Sequence, residues 1–285
     1  MMIIDKLYER VLKNGPVCIG LDPREELLPE YLMKKDWSMG EKIFEFNKMI
    51  IDATLDECAC FKPQIACYEA FGLDGMLAYS KTVQYIKSKN GISIGDVKRG
   101  DISSTAEMYG KGHFEGDFEA DFITLNPYMG CDSISPYNKY FESGQKGAFV
   151  LIKTSNIGSE DFQESMVDGK ELYLKVGSKI KTWGESFVGR SGFSALGGVV
   201  GLTYPEEFKK IKDECKGLFY LIPGYGAQGG NGKDAADMIG EEMCGIVSSS
   251  RGVIGAHKGI NEGESFAECA RQAVLDMKGD ILKWL

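Results

Sequence analysis

The chain has 285 residues, 43% hydrophobic and 26% charged, and carries a formal net charge of −9. That is ordinary globular composition, and the acidic balance provides no clustered Lys and Arg face for nucleic acid, so an anionic ligand has to be held by a local site against an unfavourable overall field. No apolar stretch approaches the ~20 residues of a membrane helix, and Met1-Met2-Ile3-Ile4-Asp5-Lys6 lacks the long apolar core of a signal peptide; neither nucleic acid nor membrane is expected as a partner, and a cytoplasmic location is.

Apolar, β-branched runs alternate with longer amphipathic segments along the chain. Strands are predicted at 16–21, 60–66, 91–98, 120–126, 147–154, 196–203, 218–223 and 244–250. Helix-like segments lie near 40–58, 70–89, 103–115, 133–143, 168–188, 205–215, 232–242 and 264–284. Thr203-Tyr204-Pro205-Glu206-Glu207-Phe208 is a good helix start, with Pro in the first turn and acids beside the positive end of the dipole. Ser103-Ser104-Thr105-Ala106-Glu107 reads as a capped start. Eight strand–helix alternations favour a closed parallel (β/α)8 TIM barrel over an open sheet. No linker-like or low-complexity stretch interrupts them, so one domain over 1–285 is expected. The polar segments 22–40 and 155–167 read as loops long enough to cover an active site.

The third strand ends in Asp96-Val97-Lys98-Arg99-Gly100-Asp101. Residues two apart on a strand face the same side, so Asp96 and Lys98 project together. Asp101 falls where the chain should already be turning. Charges aimed at a core are expensive, so these groups must be solvated, paired or chemically employed. Lys62, in Phe61-Lys62-Pro63-Gln64, is a candidate fourth charge for the same place.

In a (β/α)8 barrel the active site uses the C-terminal ends of the strands. Polar residues fall there repeatedly: Asp22, Lys62, Asp96 with Lys98, Asn126, and Thr154-Ser155-Asn156. Gly224-Tyr225-Gly226-Ala227-Gln228-Gly229-Gly230 follows the seventh run, and Ser248-Ser249-Ser250-Arg251-Gly252 ends the eighth. The last two match the usual phosphate site of such barrels, where glycines let backbone N–H groups converge on an anion and Arg251 adds a charged fork. Residues 224–229 also satisfy Gly-x-Gly-x-x-Gly, but a dinucleotide site needs that motif after an opening strand, not after a seventh. The two histidines, His113 and His257, lie at no predicted strand end and are expected as surface or helix-end residues. A Ser-His-Asp triad or a His-rich metal site is disfavoured. The eight cysteines (18, 58, 60, 67, 131, 215, 244 and 269) form no Cys-x-x-Cys and are expected as buried free thiols in a reducing compartment.

An alternating Lys-Asp-Lys-Asp array keeps its members ionised and forms a field fixed before substrate arrives. One carboxylate can repel an anionic group that is lost in the reaction. An ammonium can stabilise a developing carbanion and then deliver a proton. These are the needs of a decarboxylation without a cofactor.

Asp96-Val97-Lys98-Arg99-Gly100-Asp101 with Ile102, Phe61-Lys62-Pro63-Gln64, Thr154-Ser155-Asn156 and Pro223-Gly224-Tyr225-Gly226-Ala227-Gln228-Gly229-Gly230 together resemble the orotidine 5′-phosphate decarboxylases, most closely the longer branch. The resemblance runs in order from Gly20-Leu21-Asp22 to Arg251. It implies Lys98 as proton donor to carbon 6 of the pyrimidine and Asp96 beside the departing carboxylate. Lys62 and Asp101 complete the array, with Asp101, Ile102 and Thr105 reaching the neighbouring subunit's site in a homodimer. It further implies that Asp22 binds ribose hydroxyls, Ser155 the pyrimidine, and Gln228 both base and phosphate. Arg251 and nearby backbone N–H groups, Gly226 among them, grip the phosphate, and Asn126 belongs with the substrate-binding residues. The family uses no metal and no organic cofactor. Two positions depart from its pattern: Ser250 stands where Gly is frequent, and Ile157 where Pro is common. Two other readings share part of the pattern. A metal-dependent sugar-phosphate barrel enzyme would keep Asp96, Lys98 and Asp101 without needing Ser155 or Gln228. A non-catalytic nucleotide-binding barrel would gain nothing from a lysine between two acids.

Overall fold

The computed structural model describes residues 1–226 and 229–285. Eight strands make one parallel sheet: β1 Val17–Leu21, β2 Cys60–Pro63, β3 Ile94–Arg99, β4 Phe122–Leu125, β5 Gly147–Lys153, β6 Leu196–Val200, β7 Tyr220–Pro223 and β8 Gly245–Ser249. Their order is β2-β1-β8-β7-β6-β5-β4-β3. The two end strands meet through isolated parallel bridges, Phe61 with Ser93 and Gln64 with Asp96. Across this seam the Phe61 N–H donates to the Ile92 carbonyl at 2.9 Å and the Ile65 N–H to the Asp96 carbonyl at 3.3 Å. The molecule is the expected (β/α)8 barrel. Most of its strands are buried along their whole length, which is why they read as continuous apolar runs and not as alternating ones.

All eight strands and most helices fall where the sequence puts them, with shifted ends. The second strand stops at Pro63, because the chain turns at once into the short helix Ala66–Glu69. The expected helix over 133–143 is two 3-10 turns, Gly130–Ser133 and Ser135–Tyr137, followed by a single helical turn at Asn138–Glu142. Pro136 accounts for this: it donates no N–H and restricts the residue before it. The segment after β5 is a 3-10 turn, Ile157–Asp161, and a small antiparallel hairpin pairing Met166–Val167 with Lys170–Glu171. The hairpin turns on Asp168 and Gly169, both at positive φ (54° and 79°), as the Asp-Gly pair of a two-residue hairpin loop prefers. The following helix therefore begins at Leu172, not near 168.

One helix was not anticipated. Ile3–Asn14 buries Ile3, Ile4, Leu7 and Val11 along one side. Its first N–H, at Ile3, donates to the Gly144 carbonyl (2.7 Å), Arg10 donates to the carbonyls of Leu55, Cys58 and Ala59, and Asp5 accepts from the Ser191 N–H (2.9 Å). These partners precede β2, β5 and β6, so the helix lies across the N-terminal mouth of the barrel, opposite the end where the polar strand termini gather. No helix among the described residues is long and apolar enough to cross a membrane.

Candidate active site

The polar strand ends converge on the carboxylate of Asp96. Its Oδ2 accepts from Lys62 Nζ (2.8 Å) and Gln64 Nε2 (3.0 Å), and its Oδ1 from Lys98 Nζ (2.6 Å) and Thr124 Oγ1 (2.9 Å). Three neighbouring strands, β2, β3 and β4, with Gln64 just past the end of β2, thus deliver four donors to one buried anion. The local backbone is shaped for this. The β3–β4 pairing shifts register between Gly95 and Arg99, and Lys98 sits at φ 42°. The freed N–H groups of Val97 and Lys98 both donate to Thr124 Oγ1, at 3.0 and 2.9 Å. A non-glycine residue held at positive φ costs on the order of 1 kcal/mol or more and is concentrated at functional sites. Here it lets the Lys98 side chain fold back onto Asp96.

Burial differs sharply along the network. Lys62 and Asp96 are each 6% exposed, whereas the Lys98 side chain is 46% exposed. Burial by itself pushes the Asp96 carboxyl up, but the Lys62 and Lys98 ammoniums outweigh it and hold the group well below the usual carboxylate range. Burial likewise pulls the Lys62 ammonium down, and the charges of Asp96 and Asp22 carry it above the usual lysine range. Two cations around one anion leave the cluster net positive, a local reversal of the chain's overall charge.

Lys62 also lines a cavity of about 310 Å³ with Asp22, Gly224, Ser250 and Arg251. Two buried polar atoms on its wall, Asp22 Oδ1 and Ser250 Oγ, have no hydrogen-bond partner among the described residues. Buried polar atoms are nearly always satisfied, so this wall is arranged for a polar ligand. Ser250 is closely seated: a Cβ on Gly20 of β1 would come 2.7 Å from Ser250 Cβ, so Gly20 is required there. Arg251 is exposed at the start of the short helix Arg251–Ile254. Gly226 stands at φ 73° and its N–H donates to the Gly230 carbonyl (2.9 Å). Ala227 and Gln228 lie outside the described residues.

Among the described residues, none of the remaining candidates is hydrogen-bonded to the Asp96 carboxylate. Among the described residues the Asp101 carboxylate engages only the N–H of Ile102 (2.8 Å); Ile102 and Thr105 are exposed beside it. Asn126 Oδ1 accepts from the Tyr128 N–H (3.0 Å), and Asn126 lines a separate cavity of about 750 Å³ with Leu151 and Trp183. Ser155 is half-buried and backs onto Gly201, where a Cβ would come 2.9 Å from the Ser155 Cβ.

Both histidines depart from expectation by being buried. His113 does end a helix, but its Nε2 accepts from Arg99 Nε (3.1 Å), and burial together with the Arg99 charge pushes it down to about 4. His257 packs against Phe46 and Phe266. Five of the cysteines are buried, Cys67 and Cys269 are half-buried, and Cys131 is exposed; all eight are free. Gln64 and Thr124 were not anticipated as members of the network. Gln64 had a signal, standing two residues beyond Lys62 just past the end of β2, where it bridges to Asp96; Thr124 had none until β4 was in register with β3.

Fold and site define a (β/α)8 barrel with a Lys–Asp–Lys cluster around the buried Asp96 and a polar cavity beside it at the C-terminal ends of its strands. The chain matches the model of the Orotidine 5'-phosphate decarboxylase / HUMPS family over residues 15–266, and it belongs to that family. A Clostridium tetani protein named orotidine 5'-phosphate decarboxylase is 53% identical over 284 residues, covering 99% of this chain and 98% of that one. One of the same name from Clostridium acetobutylicum is 52% identical and covers 100% of both. The solved structure of Leishmania donovani OMP decarboxylase superposes with a TM-score of 0.81 at 29% identity, covering 100% of this chain and 99% of that one.

Proposed function

We propose that this chain, as one domain, is a carboxy-lyase that converts orotidine 5′-phosphate to uridine 5′-phosphate, the closing step of de novo pyrimidine nucleotide synthesis, in the cytoplasm. The observation that carries the reading is the Asp96 carboxylate, saturated by Lys62, Lys98, Gln64 and Thr124 while Lys98 keeps half its side chain open. In the reaction the bond from carbon 6 to the carboxylate breaks, CO₂ leaves, and the electron pair stays on carbon 6. Lys98 stabilises that pair and delivers its proton to it, then regains one from solvent. Asp96, held ionised, lies beside the substrate carboxylate and disfavours the bound ground state, while Lys62 and Lys98 favour the carbanion. The geometry is preorganised, since the hydrogen bonds to Asp96 stand before substrate binds.

The phosphate sits in the cavity beside Arg251, with Gly226 and Gln228 contributing from the glycine-rich loop. Asp22 takes ribose hydroxyls, Ser155 the base, and Asn126 the margin of the substrate site. Phosphate binding is remote from the bond broken, so its energy is available to close loops around the base. Asp101, with Ile102 and Thr105, completes the site of a second copy in a homodimer. The exposure of those two residues, and the absence among the described residues of any hydrogen bond or ion pair from Asp101 to its own cluster, support this. The reaction calls for neither metal nor organic cofactor.

The test follows the ultraviolet absorbance of orotidine 5′-phosphate mixed with protein and excess chelator. Conversion to the uridine product in proportion to protein supports the reading. Activity that appears only when a divalent metal is restored would move the assignment to a sugar-phosphate barrel enzyme. Tight nucleotide binding without turnover would indicate a binding protein.

A further inference from the structure

Lys153, the last residue of β5, has a side chain that is 0% exposed. A buried ammonium is tolerated only with partners, and those of Lys153 come from two different loops. Its Nζ donates to Glu164 Oε1 (2.7 Å) and Ser159 Oγ (2.9 Å), both in the segment after β5, and stands 4.3 Å from the ring centroid of Tyr204, in the loop after β6. Ser159 Oγ and the Tyr204 hydroxyl are themselves 3.2 Å apart. One cation therefore ties two loops to the end of one strand.

The same segment is clamped a second time at Thr154, the residue between Lys153 and Ser155. Gln163, next to Glu164, accepts from the Thr154 N–H (2.9 Å) and donates to Thr154 Oγ1 (2.8 Å); Thr154 Oγ1 donates to Asn156 Oδ1 (2.7 Å). Ser155 lies between these anchors. Behind it, the Gly201 N–H donates to the Lys153 carbonyl (2.9 Å). We propose that Lys153 is a positioning residue: its buried ammonium latches the 157–164 segment to the β6 loop and so fixes where Ser155 presents its hydroxyl to the base. This rests on the reading of Ser155 given above. Glu164 is 43% exposed, so the latch can be loosened at one end without opening the core.

The experiment is a double-mutant cycle on the full chain, with KM and kcat for orotidine 5′-phosphate measured separately. Lys153→Met should raise KM by about 10- to 100-fold, the range expected for sub-ångström to ångström misplacement of a binding group. Lys153→Arg should recover most of that loss. Lys153→Met combined with Ser155→Ala should be no worse than the poorer single variant, because the lysine acts through the serine. Multiplying effects in the double variant, or a native KM in Lys153→Met, would overturn the proposal. Should Lys153→Met fail to fold, Glu164→Gln completes the same cycle with Ser155→Ala. A wild-type protein without turnover would defeat the functional reading itself; wild-type turnover with independent variant effects defeats only the role of Lys153.

Discussion

Replacing Lys62 by Met tests the electrostatics of the site most directly. Met preserves much of the side-chain volume and removes the charge. Lys62 and Asp96 are each 6% exposed and their ion pair spans 2.8 Å, so solvent screens it little. Removing one member of a buried pair costs about 3–5 kcal/mol, because the other charge is stranded. Asp96 keeps Lys98, Gln64 and Thr124 as donors, so the lower end, about 3 kcal/mol, is expected. Equilibrium urea unfolding followed by far-ultraviolet circular dichroism reads this as a lowered midpoint with an unchanged slope. Adding Asp96→Asn removes the stranded charge and should return a large part of the loss, which a simple cavity at position 62 would not do. A Lys62→Met protein within about 0.5 kcal/mol of wild type, the scatter of ordinary surface substitutions, would refute the claim that this cluster is a buried, mutually dependent network.

Other outcomes follow from the same geometry. Lys98→Ala, at a half-exposed side chain, should abolish turnover while leaving the unfolding midpoint nearly unchanged; near-normal activity would remove Lys98 as proton donor. Burial and Arg99 lower His113 from 6.5 to about 4, so its contribution to stability is complete above the unfolded value and lost as pH falls towards the folded one. Between about pH 6.5 and 4 the wild type should therefore lose on the order of 3 kcal/mol more than His113→Gln, measured by urea unfolding at each pH; parallel pH profiles would contradict this. Mixed and refolded Lys98→Ala and Asp101→Ala subunits, each inactive alone, should regain roughly a quarter of wild-type activity if two-fold symmetric dimers share sites; an inactive mixture would place Asp101 in its own subunit's chemistry.

The sequence made the barrel legible because parallel strands buried on both faces leave uninterrupted apolar runs, and polar residues at their ends had nowhere else to point. What it hid was everything set by register. Thr124 is an unremarkable β4 residue until β3 shifts beside it and turns two N–H groups onto its hydroxyl. The Met166–Val167 and Lys170–Glu171 strands are two residues each, too short for any periodicity, and only Asp168-Gly169 signalled their turn. The helix Ile3–Asn14 carries an apolar side but precedes the first strand, outside the alternation that organised the rest. Lys153 closes an apolar run and looks like an ordinary strand end; that it is wholly enclosed depends on two loops far from it in the chain. The histidines show the converse: both read as surface or helix-end residues, and His113 does close a helix, yet packing placed both inside.

The seam between β2 and β3 carries one further consequence. It is the barrel's sparsest joint, held by isolated bridges in place of a continuous ladder, and the Lys62–Asp96 pair spans it. The charges assigned to chemistry are thus also a clasp. Amide exchange at Phe61 and Ile65 should report the breathing of the barrel here sooner than elsewhere in the sheet. A descendant that discarded Lys62 or Asp96 along with its activity would have to re-stitch this joint by other means, whereas one that discarded Lys98 alone would leave the clasp in place.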